Sequence, residues 1–120
     1  MTSKIEQMRE SSNALIDVRD QQRCVRCGRV IRGFGSRHHR KFRSRGGGDE
    51  VSNRVLLCGS GTTGCHGWVH SNPKDARVLG LAVASWEDSR LIPIRHALYG
   101  DVWLDDRGGF SRVSPAEEVS

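Results

Sequence analysis

The sequence predicts a small α+β domain with a short C-terminal β appendage, and three observations predict it. Short helix-like and strand-like stretches alternate without an internal repeat. The apolar share is 36% of 120 residues, enough for one modest core. Four cysteines fall in two pairs, Cys24/Cys27 and Cys58/Cys65, which bracket the middle of the chain.

Taken in order, residues 1–12 are polar and read as a flexible N-terminus. Residues 13–22 favour a short helix, with Ala14, Leu15 and Val18 on one side and Asn13 as its cap. Cys24-Val25-Arg26-Cys27-Gly28 reads as a knuckle, two thiols followed by a glycine that turns the chain, and 30–34 as an extended segment. Residues 38–42 and 51–57 have strand content and flank a loop containing Gly46-Gly47-Gly48, so they predict a hairpin. A second glycine-rich loop at 59–64 leads into a short helix from Thr62 or Thr63 to Ser71, and Asn72-Pro73 ends it and opens a further turn to Arg77. Residues 78–84, 91–95 and 101–104 read as short strands, 105–109 as a turn and 113–120 as a loose tail. The expected organisation is therefore a tail at 1–12, a domain at 13–77, a β appendage at 78–112 packed on that domain, and a tail at 113–120.

The formal charge is +5 and the pI about 9.5. Nine of the 19 Lys and Arg residues lie within 23–45, where there is no acid, and eight of those nine are arginines. Arginine suits bidentate phosphate contacts, so the run points to a polyanionic partner; a solvated basic surface is the plainer alternative. No window of about 18 apolar residues exists, so no membrane span is expected. The N-terminal stretch lacks the apolar core of a secretory signal, which predicts a cytoplasmic location with reduced thiols.

Reduced cysteines in two short-range pairs suit a tetrahedral zinc site, each pair supplying two thiolates and the chain between them closing a loop. Free buried thiols, or a redox dithiol at Cys24/Cys27, are the competing readings. The six residues inside the second pair require Gly59, Gly61 and Gly64 to let the loop fold back. A site filled by four thiolates is closed to substrate, so any chemistry must lie elsewhere.

Four of the five histidines, His38, His39, His66 and His70, fall within or just after the window set by the cysteines. His66 and His70 are spaced i, i+4 and share one helix face; His38 and His39 are adjacent and on a strand point opposite ways. One of that pair can hold a metal while its neighbour stays free for a proton.

The run Cys24-x2-Cys27, His38-His39-Arg40, Gly46-Gly47-Gly48-Asp49, Asn53, Leu57-Cys58, Cys65-His66-x3-His70 resembles the HNH endonucleases of the His-Me finger class, and most of all the small phage and prophage HNH proteins. The resemblance covers about residues 19–70. It implies a ββα-metal, treble-clef-like domain that hydrolyses phosphodiester bonds in DNA. Carried over residue by residue, it makes His38, His66 and His70 ligands of a catalytic divalent ion such as Mg2+, Mn2+ or Ni2+. His39 becomes the general base, and Asn53 holds the hairpin loop that positions it. Cys24, Cys27, Cys58 and Cys65 hold structural Zn2+. The wide second cysteine pair departs from the usual C-x2-C, and histidines stand where many members carry Asp or Asn. The resemblance also implies a phage setting, hence a host cytoplasm, with packaging (terminase) proteins as a further partner class.

That chemistry fits the residue types. A neutral imidazole can take a proton from water near neutral pH, and a divalent ion neutralises phosphate charge and the departing oxygen. Arg37, Arg40, Lys41, Arg43 and Arg45 are expected to grip backbone phosphates, with weak sequence preference and strong salt dependence. Trp68 is expected in the core, Trp86, Trp103 and Tyr99 in cross-strand packing, and His96 at the surface; Asp105 and Asp106 read as a turn pair, with a second metal site as the weaker alternative. The rival functions are a zinc-stabilised nucleic-acid-binding module without catalysis and a phage packaging accessory protein. Neither needs two adjacent histidines and an i, i+4 pair.

Overall fold

A computed structural model describes residues 3–33 and 35–118. The first helix, α1 (Lys4–Arg19), starts nine residues ahead of the expected position. Ser3 accepts from the Glu6 amide while the Glu6 carboxylate reaches back to the Ser3 amide, a reciprocal cap that anchors a segment the sequence reading left as a tail. Its inward face also differs from expectation. Ile16 and Arg19 are buried, whereas Leu15 and Val18 are exposed, because polar anchors dock the helix: Arg19 donates to the carbonyls of Val51 and Arg54.

Strands β1 (Gly35–His39) and β2 (Arg54–Cys58) form an antiparallel hairpin in which His38 pairs with Val55 and His39 with Arg54. The two histidines thus end the first strand rather than begin it. The connection contains a 3-10 turn at Arg43–Arg45 and another at Val51–Asn53. β2 is buried along Arg54 to Leu57, with Leu56 in a small cluster with Ile16 and Val51, and Val55 and Leu57 in the main core. Helices α2 (Gly64–Ser71) and α3 (Pro73–Val78) follow, α2 packing against β2. Pro73 at the first turn of α3 needs no hydrogen-bond donor there.

Residues 78–84 are expected as a strand, but Val78 ends α3 and 79–84 form turns and irregular chain. Their backbone groups are taken individually by other parts of the fold. The Val83 amide donates to the Arg40 carbonyl, and the carbonyls of Gly80 and Leu81 accept from side chains of the hairpin. The appendage is an antiparallel sheet of β3 (Ile94–His96), β4 (Gly100–Leu104) and β5 (Phe110–Ser111), followed by α4 (Pro115–Glu118). Leu81, Ile94, Val102 and Leu104 share one core with Cys24, Val55, Leu57 and Val69, so the appendage and the cysteine-bearing part bury each other.

His96, expected at the surface, is 1% exposed. Its Nε2 lies 2.9 Å from the Asp20 carboxylate, which also accepts from Arg19 at 2.8 Å and from the Leu56 amide. Burial raises the Asp20 pKa, but the hydrogen bonds from His96 and Arg19 outweigh it and leave the carboxyl below its usual range. Trp86 is likewise exposed on a turn rather than packed across strands. No described helix is long and apolar enough to cross a membrane.

Candidate metal centres

The four cysteine sulfurs all lie within 4.8 Å of one another, none in a disulfide. The knuckle brings up the first two: the Gly28 amide donates to the Cys24 carbonyl and the Cys24 amide to the Arg29 carbonyl, turning the chain around Val25–Cys27. The wide second pair closes because its loop folds back on itself. Gly59 and Gly64 have φ of 85° and 61°, and a Cβ at either would lie 2.2 Å from the Thr63 carbonyl oxygen or 2.6 Å from that of Cys58. The Cys65 amide then donates to the Cys58 sulfur at 3.4 Å.

Burial raises the Cys24 pKa and pushes Cys65 up to about 12, whereas Cys27, despite some burial of its own, is lowered by the Arg29 amide and the neighbouring thiols. Four thiolates this close repel one another unless a cation lies among them, and the donor set is that of structural zinc. Arg26 adds positive charge, donating to the Cys65 sulfur at 3.3 Å while its guanidinium lies 3.7 Å over the half-buried Trp68 ring.

The second group is formed by His38 from β1 and His66 and His70 from α2, whose nearest ring nitrogens lie within 4.8 Å of one another. Ring centroids are 5.0 Å apart for His38–His66 and 4.8 Å for His66–His70. The i, i+4 pair meets at 3.1 Å between Nε2 atoms. Two nitrogens each about 2.0–2.1 Å from one tetrahedral ion would be roughly 3.3 Å apart, so the spacing suits shared ligation. The His66 Nδ1 is the only buried side-chain N or O among the described residues without a hydrogen-bond partner. His38 Nε2 is 2.7 Å from the Leu81 carbonyl, so Nε2 carries the proton and Nδ1 keeps its lone pair. Burial, together with the nearby His66 and His70 rings and against the Leu81 bond, holds the His38 pKa near 3, and burial also lowers that of His66. A neutral imidazole with an oriented lone pair, as at His38, is what a borderline transition-metal ion requires.

His38, His39, His66 and His70 line one pocket of about 200 Å³ with Arg37, Phe42 and Arg43. His39 is outside the three-histidine group; its Nε2 lies 2.8 Å from Asp49 Oδ1. Asn53, 3% exposed, uses every polar atom of its side chain. Nδ2 donates to the Lys41 and Gly48 carbonyls at 3.2 and 3.0 Å, and Oδ1 accepts from the Lys41 amide at 2.8 Å and the Ser89 hydroxyl at 2.6 Å. It therefore ties the 41–48 loop to the start of β2.

The five basic residues expected on phosphate have diverged. Arg40 is fully buried and donates to the carbonyls of Gly80, Ser52, Ser89 and Ile92, so it is out of reach of a phosphate. Arg37 forms a two-pronged pair with Asp17, and Arg43 leans on Asp49 and His39. Lys41 and Arg45 have no ion pair among the described residues, Arg45 lying 5.9 Å from the Phe42 ring. Asp105 accepts the Arg107 and Gly109 amides of its own turn, and Asp106 accepts from Ser52, so both carboxylates have structural partners. The site residue to which sequence reasoning gave no role is Asp49, although it stands in the Gly46-Gly47-Gly48-Asp49 stretch of the run that carries the resemblance and is the first acid after the basic run. Comparison with known proteins returns no matching family model, no matching curated protein and no matching solved structure.

Proposed function

We propose that this chain is a metal-dependent HNH-type endonuclease that hydrolyses DNA phosphodiester bonds, its ββα-metal core held by a four-cysteine zinc site. The observation that carries the reading is the pocket in which three imidazoles converge while a fourth, His39, lines the same wall outside the group. A binding module has no use for that division.

A divalent ion held by His38, His66 and His70 would supply charge neutralisation at the scissile phosphate and at the departing oxygen. The chain supplies the rest. His39, not a member of the ligand group, keeps a ring lone pair with which to take a proton from water. Asn53 holds the loop between His39 and β2 by three hydrogen bonds to Lys41 and Gly48, with Ser89 donating to the same side chain, and so fixes the backbone on which the base is mounted. Lys41 and Arg45, with Arg43 and Arg37 once their carboxylate partners yield, offer backbone phosphates a cationic rim. An all-imidazole set favours Ni2+ or Zn2+ over Mg2+ in affinity.

Plasmid nicking with Mg2+, Mn2+ or Ni2+ tests this, comparing the wild type with His39→Ala and His66→Ala. His39→Ala should bind DNA, keep its zinc and bind Ni2+ by calorimetry, yet not cut. His66→Ala should lose Ni2+ affinity by roughly tenfold or more, the least that even outer-shell partners cost. Equal cleavage by wild type and His39→Ala would remove His39 from the reaction. No cleavage by the wild type with any of the three ions would leave a zinc-stabilised binding module.

A further inference from the structure

We propose that Asp49 is the positioning residue for His39: its carboxylate accepts the Nε2–H of the imidazole, fixing the ring's tautomer and rotation and leaving the lone pair on Nδ1. The kinetic part of this inference rests on the nuclease reading; the structural part does not.

Three observations support it. The 2.8 Å contact between His39 Nε2 and Asp49 Oδ1 is the shortest polar contact of the His39 ring, and its side chain is only 18% exposed. Arg43 approaches the same nitrogen at 3.4 Å, but a nitrogen that donates to a carboxylate at 2.8 Å has no lone pair for a second donor. Arg43 instead acts on Asp49, its Nη2 lying 3.3 Å from Oδ1, so cation, carboxylate and imidazole form a chain. Finally, Nδ1 of His39 has no hydrogen-bond partner among the described residues and is not among their buried unpaired atoms, so it is open to solvent.

The loop gives this contact its stability. Asp49 follows the triple glycine, and the Gly48 carbonyl just before it is held by Asn53 Nδ2, while its own carbonyl accepts from Arg54 Nε at 3.1 Å. The backbone on both sides of the Asp49 side chain is thus pinned to Asn53 and to Arg54, the residue of β2 that pairs with His39. Without the carboxylate, a partly exposed imidazole at a strand end samples both tautomers and several ring rotations. With it, the ring is presented in one way. The carboxyl is held below the usual carboxylate range, chiefly by the His39 hydrogen bond, so it stays an acceptor at working pH.

The test uses the full chain, zinc-loaded, at pH 8. Long-range 1H–15N spectra report the His39 tautomer in wild type, Asp49→Ala and Asp49→Asn, alongside plasmid nicking. The wild type should show the Nε2–H form alone. Asp49→Asn should retain it, because the amide oxygen still accepts, whereas Asp49→Ala should show a mixture. In nicking, Asp49→Ala should lose roughly tenfold in kcat, part of the ~10²–10⁴ that a positioned base contributes, with KM for DNA unchanged. Asp49→Asn should recover most of that loss. A mixed tautomer in the wild type, or identical spectra for wild type and Asp49→Ala, would overturn the proposal, as would a loss confined to KM. The expected spectra without cleavage by the wild type would leave Asp49 as the residue that orients His39 and would overturn the nuclease reading alone.

Discussion

Replacing Asn53 by aspartate isolates the two protons that its carboxamide donates. Aspartate has nearly the same shape and could still accept from the Lys41 amide and the Ser89 hydroxyl. It has no hydrogen for the Lys41 and Gly48 carbonyls, so two carbonyl oxygens would face an ionised oxygen at 3.0–3.2 Å. Each buried polar group left unpaired costs ~1–3 kcal/mol. Lys41 and Gly48 are half-buried, so water recovers some of that for the carbonyls, but the carboxylate at a 3% exposed position cannot be reached as easily. The sum is about 3 kcal/mol, or roughly 10²-fold in the folded-to-unfolded ratio. Asn53→Ala loses all four bonds yet opens space for water and introduces no charge, so it should be no less stable than Asn53→Asp despite retaining fewer contacts. Urea unfolding at pH 7.5 with excess zinc, followed by tryptophan fluorescence, gives the order wild type, then alanine, then aspartate. An aspartate variant within about 0.5 kcal/mol of the wild type would refute the claim that the carboxamide donors staple this loop.

Three further outcomes follow from the same geometry. His38, held near 3 by burial and its neighbouring rings, stays neutral in the native state while an unfolded histidine protonates near 6.5. The unfolded chain therefore gains a proton as the pH falls below 6.5, and stability drops with it; between pH 7 and 5.5 the wild type should lose about 1 kcal/mol more than His38→Gln, and equal losses in urea titrations would contradict the assignment. Arg40→Lys, which replaces a fork serving four carbonyls by a single ammonium, should lower stability by about 3 kcal/mol in thermal unfolding, whereas DNA affinity per folded molecule should hold. Lys41→Ala and Arg45→Ala should each reduce the slope of log K against log salt by about 0.9 on duplex DNA, and unchanged slopes would take both residues off the phosphates.

The ligand groups were legible because their information is local. C-x2-C makes a knuckle wherever it is folded, and i, i+4 histidines share a face on any helix, so the pairing of Cys24 with Cys27 and of His66 with His70 follows from spacing alone, whereas closing the quartet needed the 59–64 loop to fold back. The capping box of α1 was equally local, Ser3 and Glu6 at the required separation, and went unread beneath the polarity of the first twelve residues. Other features depend on contacts far along the chain. A basic residue in a basic run gives no sign of whether it meets water or four carbonyls 12 to 52 residues away, which is why Arg40 was assigned to phosphate. His96 gave no sign that Asp20 would reach it across 76 residues. The apolar content of 78–84 suggested a strand, yet its carbonyls serve His38 and Arg40 instead of a ladder, and burial without backbone pairing has no period to read.

These long-range contacts give the C-terminal third a part in the candidate site. Leu81 fixes the His38 tautomer, Ser89 donates to Asn53, and Gly80, Ser89 and Ile92 receive three of the bonds from Arg40, the residue directly after His39. Each contact takes a polar group of the hairpin and satisfies it with a backbone or hydroxyl group from residues 80–92. Hydrogen bonds are directional where apolar contact is not, and burying Arg40 without a carboxylate partner is tolerable because each of its three nitrogens finds a carbonyl. The same burial makes the hairpin end rigid: to move His39, the structure must first release a cation from four carbonyls. A boundary after residue 77 therefore separates sequence segments but not the candidate site, since the clustered cysteines and histidines lie before it and groups that hold His38, Arg40 and Asn53 lie after.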